Sequence, residues 1–184
     1  MPTAIELRGN EILKRLPAGT AVMAEIGVQT AKLSEYLLSK YQGLILFAVD
    51  NWLSQTRRPR SYIETGDNCA VWSNSEAKRI YQEAAKRLNQ FGKRGQIIKK
   101  NAKTAANDFG DGALDLVFLD ADHSEIGLTK DIEAWLPKVR PGGWIGGHDY
   151  DNNEAGFNFA VKQVVDSLLN QAEIGKNYTW WVQL

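Results

Sequence analysis

The sequence predicts an α/β fold, a mainly parallel sheet with helices on both faces. Three observations carry this. Short apolar runs alternate with segments of helical periodicity through most of the chain, and strand–helix alternation is the pattern of a parallel sheet. The strand candidates are continuously apolar, as in Leu-Val-Phe-Leu at 116–119, which suits strands buried on both faces. These runs empty into polar residues, at Asp50 and again at Asp120-Ala-Asp122-His123. Such strand ends form the carboxyl edge, where open α/β sheets bind ligands.

The elements follow in order. Residues 4–16 carry Ile5, Ile12, Leu13 and Leu16 at helical spacing, and Pro17 stops the helix. Residues 21–28 read as a strand, and Leu33, Tyr36, Leu37 and Tyr41 as the helix after it. A second strand over 44–49 ends in Asp50-Asn51-Trp52. Residues 53–75 are polar and look like a long insertion, of the kind that serves as a lid or binding loop. A helix over 76–92 buries Ile80, Tyr81, Ala84, Leu88 and Phe91. A short third strand at 96–99 leads to Asn101-Ala102 and a turn or short helix through Ala105. The central strand at 114–119 is followed by a helical stripe of Leu128, Ile132, Trp135, Leu136 and Val139, stopped by Pro141-Gly-Gly. A strand at 144–147 and a helix marked by Phe157, Val161, Val164, Val165 and Leu168 come next. The chain closes on apolar residues at 174 and 178–182, read as a hairpin forming an antiparallel edge.

The 184 residues suit one domain, 1–184. Acidic and basic residues balance at 22 each, which argues against a nucleic-acid or membrane-surface footprint. The cluster Arg57-Arg58-Pro59-Arg60 reads as a solvated loop. One cysteine, Cys69, permits no intrachain disulfide and fits a reducing compartment. No leader-like or membrane-spanning apolar run is present, so a cytoplasmic location is expected.

Chemistry concentrates at two strand ends. The two histidines of the chain, His123 and His148, each stand beside an acid, Asp122 and Asp149. If the two strands are neighbours, these groups converge with Asp120 on one cleft. Glu25-Ile-Gly27 closes the first strand and Asp50 the second, roughly 20 residues on, as in folds that grip ribose hydroxyls. A pyrophosphate cradle needs a glycine-rich helix start; Gln29 and Ala31 occupy those places here. That favours a nucleoside ligand without a pyrophosphate over NAD. Trp52 and Trp72 bracket the insertion and are candidates for an adenine or substrate wall, whereas Trp135 and Trp144 read as core.

The stretch 24–37, Ala-Glu-Ile-Gly-Val-Gln-Thr-Ala-Lys-Leu-Ser-Glu-Tyr-Leu, resembles the first motif of class I S-adenosylmethionine-dependent methyltransferases. Asp120-Ala-Asp-His-Ser, Lys130-Asp131, Trp135-Leu-Pro, Pro141-Gly-Gly and Gly147-His-Asp-Tyr150 resemble a small-molecule O-methyltransferase subgroup related to cephalosporin-hydroxylase-like proteins. The resemblance covers roughly residues 20–150. It implies a Rossmann-like seven-stranded sheet of order 3-2-1-4-5-7-6 with the seventh strand antiparallel. It implies that Glu25 and Gly27 contact the methionine moiety of S-adenosylmethionine and that Asp50 takes the ribose. Asn51 and Trp52 would then lie beside the adenosine, Asn101 and Ala102 would flank the adenine, and Asp120 would lie near the sulfonium. Divalent-metal relatives place one Asp after the fourth strand, which Asp120 matches, and an Asp-Asn pair after the fifth, where His148-Asp149 stand, so Asp120, His148 and Asp149 form a tentative cation set. Without a metal, His148 or His123 is the natural general base, with Asp149 beside it. The expected reaction is methyl transfer to an oxygen of a small-molecule acceptor, in a protein that could be a homodimer. A nucleotide-binding module without turnover and an NAD-linked oxidoreductase are the alternatives.

Overall fold

A computed structural model describes residues 1–169 and 171–184. Among the described residues seven strands form one sheet in the order β3-β2-β1-β4-β5-β7-β6. They are β1 (Ala21–Ile26), β2 (Leu44–Asp50), β3 (Gly95–Lys99), β4 (Leu114–Leu119), β5 (Val139–Gly147), β6 (Glu173–Ile174) and β7 (Trp180–Gln183). The first five run parallel, and β7 runs antiparallel to both β5 and β6. The expected fold class and strand order are therefore those of the molecule.

The helices are α1 (Ala4–Leu13), α2 (Lys32–Lys40), α3 (Arg60–Ile63), α4 (Asn74–Asn89), α5 (Ala102–Ala106), α6 (Glu125–Trp135) and α7 (Val161–Leu168). Strand residues alternate between two apolar layers. Met23, Leu44, Leu46, Leu116 and Phe118 pack under α1, α2 and α4. Ala24, Ile26, Val117 and Leu119 pack under α5, α6 and α7. Each strand side chain thus meets a helix whichever way it points, which is why the runs carry no polar face. Trp180 and Trp181, neighbours in β7, point into opposite apolar layers, and both are fully buried because both faces are covered.

Several boundaries differ from expectation. β1 ends at Ile26, since Gly27 turns the chain out of the sheet. α4 begins at Asn74, earlier than its apolar stripe, because Ser73 and Glu76 form a reciprocal capping box. α6 ends at Trp135, not near Pro141: Pro137 has no N–H to continue the helix. Val139 instead opens β5, pairing with Leu114. Segment 53–75 is not structureless. It holds α3 and two short 3₁₀ turns, and it buries Tyr62, Thr65 and Asp67. Among the described residues no helix is long and apolar enough to cross a membrane.

Candidate active site

β1 lies between β2 and β4, so Asp50 and Asp120 leave the sheet on either side of Gly27. Two interstrand spacings separate their strands, ~10 Å. A cavity of about 650 Å³ opens along this carboxyl edge, within the size range of small-molecule sites.

The Gly27 loop forms the floor. Gly27 has φ +90°, and a Cβ there would stand 2.0 Å from the backbone oxygen of Asp120. Only glycine allows this approach. Gln29 and Ala31, at φ 53° and 59°, also turn left-handed. The loop therefore follows a glycine-like path without the later glycines, at a cost of about 1–2 kcal/mol for each side chain. Asp50 helps to hold it there. Its Oδ2 accepts from the N–H groups of Val28 (3.1 Å) and Gln29 (3.0 Å), and its Oδ1 from that of Trp52 (2.9 Å). Burial raises the Asp50 carboxyl, and these backbone donors partly offset the rise.

Two imidazoles and several carboxylates form the opposite wall. His148 Nδ1 lies 2.9 Å from Asp149 Oδ2 and 3.5 Å from Asp120 Oδ1. His123 Nε2 lies 3.1 Å from Asp149 Oδ2 and 3.5 Å from Asp120 Oδ1, and its Nδ1 lies 3.1 Å from Asp67 Oδ2. Nε2 of each ring is buried without a well-directed hydrogen bond. Arg8, reaching over from α1, pairs with Asp120 Oδ2. Burial opposes charge throughout this cluster, yet mutual attraction wins. Arg8 and the imidazoles hold the Asp120 carboxyl well below the usual range. The neighbouring carboxylates raise His148 and push His123 up to about 10.

The cluster is roofed by two segments. In 53–75, Asp67 accepts from Tyr62 Oη (3.1 Å) and from the Cys69 N–H (2.7 Å). In 151–160, the Phe159 ring stacks on His123 with centroids 4.5 Å apart. The segments meet where the Asn158 N–H donates to the Thr65 carbonyl at 2.8 Å.

Of the residues expected at the site, Gly27, Asp50, Asn51, Asn101, Ala102, Asp120, His123, His148 and Asp149 line this one cavity. Glu25 and Trp52 stand outside its lining. Ser34 Oγ donates to Glu25 Oε2 at 2.6 Å behind the loop, and burial with the Asp120 charge pushes that carboxyl up to about 8. Trp52 is buried, and its Nε1 donates to the Gln29 carbonyl at 2.9 Å. Trp72 does line the cavity, with Arg58 stacked against its ring and that of Tyr62. Arg58 thus belongs to the site and not to a solvated loop. Asp122 does not cap α6. Ser124 does, while Asp122 accepts from the Ser124 N–H at 2.9 Å. Asp131, in α6, is buried against the cavity.

Sequence reasoning missed Arg8 and Asp67. Gly66-Asp67-Asn68 reads as a turn, and only the folded chain brings it against His123. Arg8 carries no local signal, since its partner lies 112 residues away.

A doubly flanked, mainly parallel sheet with an acid-lined crevice at its carboxyl edge is the architecture of a ligand-binding open α/β protein. Residues 25–150 match the family described as a methyltransferase domain, and the chain belongs to that family. Among solved structures it is similar to a precorrin-6y C5,15-methyltransferase from Geobacter metallireducens, at 16% identity over 92% of this chain and 74% of that one, TM-score 0.61. It is similar to a Corynebacterium glutamicum protein at 14% identity over all of this chain and 82% of that one, TM-score 0.64. A Thiobacillus denitrificans methyltransferase in complex with S-adenosylhomocysteine matches at 17% identity over 81% of this chain and 48% of that one, TM-score 0.50. An uncharacterized Sinorhizobium fredii protein is 28% identical over 60% of this chain, which spans 11% of that protein's length.

Proposed function

We propose that the protein transfers a methyl group from S-adenosylmethionine to an oxygen of a small-molecule acceptor. The observation that carries this is the convergence of Gly27, Asp50 and Asp120 on one cavity beside a buried pair of imidazoles. The residues fit such a cofactor. The Gly27 loop leaves room that a Cβ would fill. The Asp50 carboxylate keeps one lone-pair site, on Oδ1, for a ribose hydroxyl beyond those its backbone donors use. When bound, the cofactor supplies an electrophilic methyl group on a sulfonium.

The chain's own residues then have distinct tasks. Asp149 orients His148 through Nδ1 and leaves Nε2 without a partner. That is the arrangement of a general base, in which one ring nitrogen is anchored and the other meets the acceptor hydroxyl. His123 sits between Asp67, Asp120 and Asp149 and holds the acids in place. The roof segments shield the reacting atoms from water.

One observation supports a second role for the same cluster. Donor atoms of Asp120, His123 and Asp149 all lie within 4.8 Å of one another. The donor atoms of a divalent site, ~2.1 Å from the ion, stand ~3 Å apart, close to the 3.1 Å between His123 and Asp149. His148 is within the same reach. An imidazole among the carboxylates favours a transition metal over Mg²⁺.

S-adenosylhomocysteine is expected to raise the melting temperature in a concentration-dependent way, and NAD to leave it unchanged. A shift with NAD and none with S-adenosylhomocysteine would return the protein to the oxidoreductases. Cofactor binding without turnover of any hydroxylated acceptor would make it a binding module.

A further inference from the structure

We propose that Arg8 is a carboxylate receptor: its guanidinium takes the α-carboxylate at the amino-acid end of the nucleoside cofactor, while Asp120 takes the adjoining ammonium. The inference rests on the S-adenosylmethionine reading and assigns one more residue to it.

α1 begins at a capping box, in which Thr3 Oγ1 accepts from the Glu6 N–H and the Glu6 carboxylate accepts from the Thr3 N–H. It is seated on α2 by close packing: a Cβ at Gly9 would stand 2.5 Å from the Tyr36 ring, and Ile12 is fully buried. With the helix fixed there, Arg8 extends over the carboxyl edge of the sheet into the cavity, its side chain 18% exposed. Nη1 meets Asp120 Oδ2. No other hydrogen bond from this guanidinium is made among the described residues, and its Nε is buried without a partner.

A guanidinium offers five donors in a planar fork. Buried donors left unmet are costly, and a carboxylate is the group whose geometry matches the fork. Position selects which carboxylate. Arg8 touches Asp120, whose backbone oxygen also lies against Gly27. It therefore stands at the Gly27 end, on the far side of β1 from Asp50. A ligand with its sugar at Asp50 brings its amino-acid end to Arg8. There a cation beside an anion mirrors the ammonium and carboxylate of an α-amino acid.

The test compares S-adenosylhomocysteine with 5′-methylthioadenosine, which lacks the amino-acid end, by calorimetric titration of wild type, Arg8→Ala and Arg8→Lys. Arg8→Ala is expected to weaken S-adenosylhomocysteine at least tenfold and leave 5′-methylthioadenosine unchanged, with Arg8→Lys between wild type and Arg8→Ala. Unaltered 5′-methylthioadenosine binding also certifies that the variant is folded. Equal weakening of both ligands would mean that Arg8 only braces the cavity, and the proposal would fall. Unchanged S-adenosylhomocysteine affinity in Arg8→Ala would sink it while leaving the cofactor reading intact. If wild type binds neither ligand, that reading fails first.

Discussion

Gly27→Ala measures the close approach on which the cavity floor depends, and Gly19→Ala supplies its control. The two glycines share nearly the same backbone conformation, φ +90° and +88°. At Gly19 an added Cβ meets nothing within 4 Å, whereas at Gly27 it meets the Asp120 backbone oxygen at 2.0 Å. The left-handed conformation costs an L-residue about 1–2 kcal/mol at either position. Overpacking adds about 1–3 kcal/mol at Gly27 alone, and because the obstacle is backbone in a central strand end, the upper half of that range applies. Gly27→Ala should therefore lose roughly 3–5 kcal/mol and Gly19→Ala roughly 1–2. For a chain of this length that is about 6–20 °C against about 2–8 °C in Tm. Differential scanning calorimetry of the two variants gives the comparison directly. Gly27→Ala should also lose S-adenosylhomocysteine binding, which Gly19→Ala should keep. Equal destabilisation of the two variants would refute the contact between the loop and the end of β4.

Two further outcomes follow from the buried acids and imidazoles. Glu25 carries its proton to about pH 8 in the fold against 4.5 for the free side chain. The native state therefore binds more protons than the unfolded chain between these values, and wild-type stability falls as pH rises through that window. Glu25→Gln keeps an acceptor for Ser34 but cannot ionise, so it should gain on wild type from pH 5 to pH 9 in paired denaturant titrations; a difference that stays flat with pH would show that Glu25 is already charged. For the cation, Mn²⁺ should raise the Tm of wild type and do so far less in Asp149→Ala. A shift of equal size in both proteins would place any bound ion elsewhere.

Much of this protein is written locally. The two-face burial of 116–119 and the polar residues that end it follow from composition alone, because a parallel strand has no solvent face to disguise. Alternation with helical stripes then determines the fold class. The positions of Asp50, Asp120, His123, His148 and Asp149 at strand ends could be read in the same way, since a strand's direction settles which edge its last residue reaches. The bounds of α6 are not legible in the stripe, because apolar residues run on past Pro137 while the backbone donor that the helix needs does not.

Tertiary structure alone decided how these groups meet. The sequence calls for a turn at Asp67 and a helix around Arg8, and neither pattern names a partner. Asp67 reaches His123 across 56 residues and Arg8 reaches Asp120 across 112. The left-handed backbone at Gln29 and Ala31 was equally hidden, because those side chains predict another path and the Asp50 carboxylate helps to impose this one. Local periodicity encodes which elements form and which way they point. Charge pairing and close packing between distant segments can be known only once the sheet has put β1 between β2 and β4.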